Sequence, residues 1–226
     1  MSAAIDRAGL VRHLRRNSVT PTDHFVPPSM LERPMSNPTV QMDSAKHWLE
    51  LAGYPEGKGV GDIVLSTTSD YVDICAALQH DWAQLGLRVE VDVVPAAMHR
   101  ERVAQGETAL FYKSWLADHA DAENFLGLFV EANFSPHGPN YTHHASEEYE
   151  RLFAAAMAEV SDASKRRQLY GRLDSIVHAS MPVMPLFHDR VTHVLSRQVK
   201  GWSIHPVNRL DLRRIRKANL PETAGN

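Results

Sequence analysis

Trp115, Asp118, His119, Asp121, Glu123 and Asn124 crowd one short stretch, Ala109–Leu128. Its first residues, Ala109–Tyr112, are an apolar run that reads as a strand end. Its last, with Phe125, Leu126, Leu128 and Phe129 beyond, fit the apolar face of a helix. An aromatic ring beside several carboxylates at a strand-to-helix junction is where an α/β fold receives a small ligand. The simpler reading is an acidic helix entry, with Asp121 as N-cap and Glu123 and Asn124 in the first turn. Composition alone favours the simpler one. Trp115 sits where the strand leaves the sheet, so it is either the lid of the core or the wall of a pocket.

Other chemistries find less support. His119, His137, His143 and His144 gather around this region, and the chain has 13 His against a single Cys. No H-E-x-x-H or H-x-H spacing occurs, so hydrogen-bonded or solvated histidines are expected rather than a metal site. Cys75 alone excludes an internal disulfide and a Cys-based zinc site. No G-x-S-x-G elbow, Walker A loop or G-x-G-x-x-G turn is present. Asp118 with Asp121 could exchange protons, but paired acids at a helix entry are common. No enzyme and no cofactor are expected. A net charge of −3 argues against a nucleic-acid surface. No apolar run of about eighteen residues is present, so no membrane-spanning helix is expected. The charged opening segment lacks the apolar core of a secretory signal peptide, which taken alone points to the cytoplasm.

The elements that must position these residues follow from periodicity. Ala3–Leu14 reads as a helix. Ser18–Thr39, with Pro21, Pro27, Pro28, Pro34 and Pro38, reads as an extended arm that must lie on something else. Met42–Ala52 reads as a helix capped by Asp43 or Ser44, with Ala45, Trp48, Leu49 and Ala52 buried. Trp48, Trp82 and Trp202 all fall on core-like positions. Strand Asp62–Thr67, helix Tyr71–Leu85 ending at Gly86, strand Arg88–Val94, helix Ala96–Ala104 and strand Thr108–Tyr112 then alternate. That alternation predicts a parallel or mixed sheet with helices on its faces. A loop over Asn133–His144 precedes helices Ser146–Glu159 and Ser161–Ala179. Val183–His188 and Val191–Ser196 read as strands, Trp202–Pro206 less clearly so. Arg209–Lys217 alternates apolar and basic residues.

Several phrases are more specific. A-K-H-W-L-E-L-A-G-Y-P-E-G (Ala45–Gly57), the L-G-L-R-V-E-V after the Ala77 helix, S-W-L-A-D-H-A-D-A-E-N-F-L, and R-R-Q-L-Y-G-R-L-D-S-I-V-H-A-S-M-P-V-M-P-L-F run in order. With A-I-D-R-A-G-L-V and Phe25-Val26-Pro27-Pro28, they resemble the family 5 extracellular solute-binding proteins, the peptide, dipeptide and nickel receptors of ABC importers. The resemblance runs from about Ala4 to Trp202.

The resemblance implies an α/β fold: a periplasmic-binding-protein-like lobe with a mixed sheet flanked by helices, shortened relative to the two-lobed family. It implies three parts: an N-terminal helix and proline-rich arm over 1–39, a C-terminal lobe over 40–185, and a segment over 186–226 that returns toward a missing N-terminal lobe. A peptide would be enclosed between lobes and passed to a membrane permease in the periplasm or at the cell surface. Asp118 takes the place of the carboxylate that pairs with the peptide α-ammonium. Trp115 would wall the pocket, and Asn140 and Tyr141 would add contacts. Two positions depart from the pattern: Ala122 replaces a Pro, and Ser114 a Gly. Without its partner lobe, the chain is expected to expose apolar residues after Pro185 and along the arm. The alternatives are a repurposed cytoplasmic interaction module that has lost its ligand, and nickel or metal-chelate capture by the histidines.

Overall fold

Asp6 decides where the first helix starts. Its carboxylate accepts the Gly9 amide at 2.8 Å, so helix α1 spans Arg7–Leu14, and Ser2–Ala4 form a separate 3-10 turn. The continuous helix expected from Ala3 is therefore broken at the cap. The computed structural model describes residues 1–31, 38–205 and 210–218. Of the arm, Val19–Pro21 forms a short strand, β1, and Pro28–Leu31 a single helical turn, α2. Pro34 lies outside the described residues.

Helix α3 (Met42–Leu51) starts after Gln41, which makes no side-chain cap; neither Asp43 nor Ser44 takes that role. Ala45 is buried, but Trp48 is 66% exposed, against the expectation that it packs. The reason is the surface beneath it. α3 rests on the short Ser2–Ala4 turn, with the Gln41 amide bonded to Ala3 O at 2.8 Å, and so small an element covers only the strip around Ala45.

Strand β2 (Asp62–Thr67), helix α4 (Val72–Ala83), strand β3 (Arg88–Val93), helix α5 (Ala96–Ala104) and strand β4 (Leu110–Phe111) build the sheet. Its order is β3-β2-β4, and both pairs are parallel, with Leu65 opposite Val91 and Leu110. Each crossover passes through a helix, which is what parallel pairing requires. One face carries Leu65 and Val89 onto Ile74, Cys75, Leu78 and Trp82 of α4, joined by Ala4, Ile5 and Leu10. The other is polar: Arg88 pairs with Asp62 at 2.9 Å and Arg102 with Asp92 at 3.2 Å. That split matches the apolar–charged alternation of β3.

Gly86 ends the α4 segment at φ +79°, and a Cβ there would lie 2.0 Å from Glu56 O. Gly86→Ala is therefore expected to destabilise the fold by about 2 kcal/mol or more, through strain at positive φ and collision with a backbone atom. Urea unfolding followed by circular dichroism measures this; a midpoint equal to wild type would contradict the packing.

Helix α6 (Glu123–Leu126), two 3-10 turns, α7 (Glu147–Ala158) and α8 (Ala163–Ser180) enclose a second core. Ser146 caps α7 through the Tyr149 amide at 3.3 Å, and Asp162 caps α8 through Ser164 and Lys165 at 2.9 and 3.0 Å. Leu126, Phe129, Tyr149, Leu152, Leu173 and Val177 fill this core, with Val26 of the arm among them. Tyr149 is buried, and its hydroxyl donates to Leu126 O at 2.7 Å. Burial pushes that hydroxyl's pKa upward.

The arm does lie on something. Asp174 of α8 accepts the Val26 amide at 3.0 Å and contacts His24 Nδ1 at 2.7 Å. His178 Nδ1 donates to Asp23 O at 3.0 Å, and the His24 and His178 rings stack at 4.5 Å. Phe25, Met30 and Leu31 also pack on the helical core, so this part of the arm does not form the exposed patch expected for it.

After α8 the chain forms β5 (Phe187–Asp189), antiparallel to β1, and the two-residue strands β6 (Val199–Lys200) and β7 (Arg216–Lys217), which pair with each other. Val191–Ser196 is not a strand. Its alternation finds no neighbour to bond, and Val194 is 93% exposed. Trp202–His205 is irregular, and Pro206 and Arg209 lie outside the described residues. The expected exposure after Pro185 is present at Val191, Val194, Ile204, Leu210 and Leu212.

Candidate ligand-binding site

The chain leaves β4 at the C-terminal edge of the parallel sheet, the edge at which open α/β sheets bind ligands. The exit is held by backbone and by one histidine. The Tyr112 amide donates to Ser66 O at 2.9 Å, and Tyr112 O accepts from His99 Nε2 at 3.0 Å. A carbonyl can only accept, so the proton is on Nε2; Nδ1 then receives the Ser66 hydroxyl at 3.1 Å. Buried His99 of α5 thus ties β2 to the exit of β4. Tyr112 itself lies against Tyr71, ring centroids 4.7 Å apart, and burial raises its hydroxyl pKa.

Beyond the exit, Asn124 of α6 organises the loop. Its Oδ1 accepts the Trp115 indole N–H at 3.0 Å and the Asp118 amide at 3.3 Å. Its amide nitrogen donates to His119 Nδ1 at 3.3 Å, which leaves His119 Nε2 to donate to Glu123 at 2.9 Å. Asp121 accepts the Glu123 amide at 3.0 Å through one oxygen and pairs with Arg166 of α8 at 3.0 Å through the other. An acidic stretch does lead into the helix, but the N-cap is Ala122, not Asp121 as expected; the Asp121 carboxylate, one residue earlier, bonds the first helical amide. The loop is pinned from α6 and α8 together.

Trp115 is half-buried and rests on the helical core, so it roofs that core while keeping an open side. Asp118 is exposed, and its carboxylate makes no hydrogen bond or ion pair among the described residues. A carboxylate without a cation, on a loop whose backbone is fixed, is available to a cationic ligand group. Asn124→Ala should remove two acceptor contacts and destabilise by about 1–2 kcal/mol. It should also move the Trp115 indole N–H resonance, whereas Asn124→Asp, which keeps the acceptor, should not. An unmoved indole signal in the Ala variant would contradict this role.

The structure does not place all four expected residues alike. Asn140 is fully buried: its amide donates to Val130 O at 3.1 Å and His144 O at 3.0 Å, and its Oδ1 accepts from Thr142 at 3.1 Å. It holds its own loop together and makes no hydrogen bond to Trp115 or Asp118. Tyr141 is half-exposed, with the Lys113 ammonium over its ring, 3.3 Å from the centroid. Lys113 thereby joins the Tyr141 loop to the strand exit that leads to Trp115 and Asp118.

Lys113 and His99 were not singled out by the sequence, and Asn124 was read only as a residue of the first helical turn. A lone Lys after a strand and an Asn in a first helical turn carry no signal until their partners are known. The histidines do not converge. His143 bonds Ser135 at 3.0 Å, while His144 contacts Phe129 O and Ser180, each at 3.3 Å. Among the described residues no group of three or more His, Cys, Asp or Glu could hold a metal ion. A shallow depression lined by Asp62, Gln79, His80, Arg88 and Glu90 runs along the β3 edge and shares no residue with this surface.

Known proteins fit this architecture. The dipeptide-binding protein of Escherichia coli K12 is 21% identical over 215 residues, spanning 92% of this chain and 40% of that protein. The HbpA2 structure from Haemophilus parasuis superposes with a TM-score of 0.83 at 23% identity, covering 96% of this chain and 44% of the other. The periplasmic binding protein DppA from Helicobacter pylori, in complex with the peptide STSA, gives a TM-score of 0.76 at 23% identity, covering 96% and 43%. At such identities the structures establish the fold. The chain spans less than half the length of each. The model of the bacterial extracellular solute-binding proteins, family 5 Middle, matches residues 1–136, more than half of the chain. A parallel sheet presenting a pinned aromatic–carboxylate loop at its C-terminal edge, on this family's sequence pattern, means that the chain belongs to the bacterial extracellular solute-binding proteins, family 5.

Proposed function

We propose that this chain is the ligand-facing C-terminal lobe of a substrate-binding component of an ABC importer. It takes up short peptides by their α-ammonium group. The observation that carries the reading is the Asn124-built loop, which fixes the Asp118 backbone and the Trp115 ring while leaving the Asp118 carboxylate unpaired. A carboxylate with no cation beside it selects an ammonium, and contacts to peptide backbone tolerate varied side chains. Trp115 offers a wall, Tyr141 a second aromatic surface, and Asn140 holds the loop that presents Tyr141. A relative with a bound peptide supports the ligand class.

One lobe covers one side of a ligand. Enclosure needs a second lobe, and the apolar residues exposed after β5 are suited to meet it. In this reading the partners are the peptide, an N-terminal lobe and a membrane permease, and the setting is the periplasm or the outer face of the cytoplasmic membrane. No helix among the described residues is long and apolar enough to cross a membrane. Binding to this lobe alone is expected to be weak, because little ligand surface is covered. The test is to titrate di- to hexapeptides into the labelled chain by NMR, with and without the N-terminal lobe of a two-lobed relative. The reading predicts shifts at Trp115, Asp118 and Tyr141 that saturate at lower peptide concentration when the lobe is added. Unperturbed residues under both conditions would favour a repurposed interaction module instead.

A further inference from the structure

Helix α5 buries two of its side chains, Val103 and His99. Val103 is an ordinary core residue. His99 is not, because a leucine would fill the same space with no polar atom to satisfy. A buried imidazole is costly unless its ring nitrogens find partners, and here both do. Nε2 donates to Tyr112 O at 3.0 Å, and Nδ1 accepts from the buried Ser66 hydroxyl at 3.1 Å. The Tyr112 carbonyl is the point at which β4 stops being a strand. β2 and β4 pair at Leu65–Leu110 and Ser66–Phe111, and the Tyr112 amide still donates to Ser66 O at 2.9 Å. A parallel ladder would continue with the Tyr112 carbonyl accepting the Thr68 amide. His99 takes that carbonyl instead.

The plane of the Tyr112–Lys113 peptide is therefore set by a helix side chain, not by the next rung of the sheet. From that plane the chain runs out to Trp115 and Asp118. Asn124 holds the far end, through the Trp115 indole and the Asp118 amide. Between the two anchors, the backbone amides of residues 113–117 make no hydrogen bond among the described residues. The route of this segment is thus decided at its two ends. We infer that His99 is a positioning residue for the ligand. Buried behind the sheet edge, it does not reach the ligand; it ends the β2–β4 ladder and aims the segment that carries Trp115 and Asp118. A site whose backbone is aimed before the ligand arrives loses less free energy to ordering on binding.

This inference rests on the proposed uptake of peptides at Asp118, and the test separates the two. The full chain is studied by NMR, first alone and then titrated with trialanine. Wild type, His99→Gln, His99→Asn and His99→Leu are compared. Gln places its amide nitrogen near the Nε2 position and keeps a donor for Tyr112 O. Asn is shorter and reaches Ser66 alone, and Leu keeps neither contact. His99→Asn and His99→Leu are expected to move the Lys113 and Trp115 amide resonances and to weaken binding about threefold to tenfold, the range of one neutral hydrogen bond. His99→Gln should stay within about twofold of wild type, because the bond to Tyr112 O is kept. His99→Gln and His99→Asn each lose one buried contact, so their urea midpoints should be alike, and a role in stability alone would not separate their affinities. Wild-type affinity in both His99→Asn and His99→Leu overturns the positioning role. Equal weakening in His99→Gln and His99→Asn overturns it too, because the loss would then not follow the Tyr112 bond. Asp118→Asn is titrated beside them. If it binds like wild type while His99→Asn is weakened and His99→Gln is not, the Asp118 assignment falls and His99 stands. A wild-type chain that trialanine leaves unperturbed overturns the peptide reading and this role of His99 together.

Discussion

Asp118→Asn should weaken peptide binding by about tenfold to a hundredfold while leaving the melting temperature unchanged. The magnitude is that of a hydrogen bond to a charged group, about 1.5–3 kcal/mol. The unchanged stability follows from the structure: the carboxylate is exposed and holds nothing in place, and the contact that fixes the residue is made by its backbone amide to Asn124. Asn is close to isosteric, so the loop should keep its shape and only the charge is lost. The ligand side makes a matching prediction. A peptide α-amino group loses its proton at about pH 8, so binding should fall as pH rises through that value, and an N-acetylated peptide should show no such decline. Calorimetry or NMR titration of both ligands across that range measures this. An affinity for the Asn variant equal to wild type would remove Asp118 from the site.

Asp174→Ala is expected to have the largest effect on stability, a loss of about 3–5 kcal/mol, because it removes two contacts to one buried carboxylate, each of about 1.5–3 kcal/mol. Asp174 is fully buried on α8, where it accepts the Val26 amide at 3.0 Å and touches His24 Nδ1 at 2.7 Å. Alanine removes this acceptor from the buried Val26 amide and this contact from the partly exposed His24 ring. Since natural domains are stable by only about 5–15 kcal/mol, such a loss would leave the chain close to unfolding. Asp174→Asn can still accept one hydrogen bond and should cost less. Urea unfolding gives the two values, and hydrogen exchange at the Val26 amide reports on the arm itself. An Ala variant within about 1 kcal/mol of wild type would show that the arm does not depend on this contact.

Much of the α/β framework was legible in sequence. Strand β2 and helix α5 begin and end where alternation, helical spacing and the Gly stop signals put them. The acidic helix entry was legible to within one residue: Asp121 bonds the first helical amide, while the cap position itself falls at Ala122. The elements that failed share a property. Trp48 and Val191–Ser196 carry the right periodicity for burial, and neither meets a surface large enough to cover it. Periodicity states which face would be buried if a partner were present, and the partner is supplied by distant chain.

The stretch around Trp115 shows the same division in small. Its sequence alone determined a strand exit, an acidic helix entry and a family pattern, all set by residues a few positions apart. Tertiary structure decided the rest. Lys113 stands on Tyr141, His99 closes on Tyr112, Arg166 holds Asp121, and Asn140 turns inward while Asp118 stays open. Each of these depends on two segments brought together by packing. Hydrogen bonding and charge pairing act over a few ångströms of space, and only the fold converts separation along the chain into such distances.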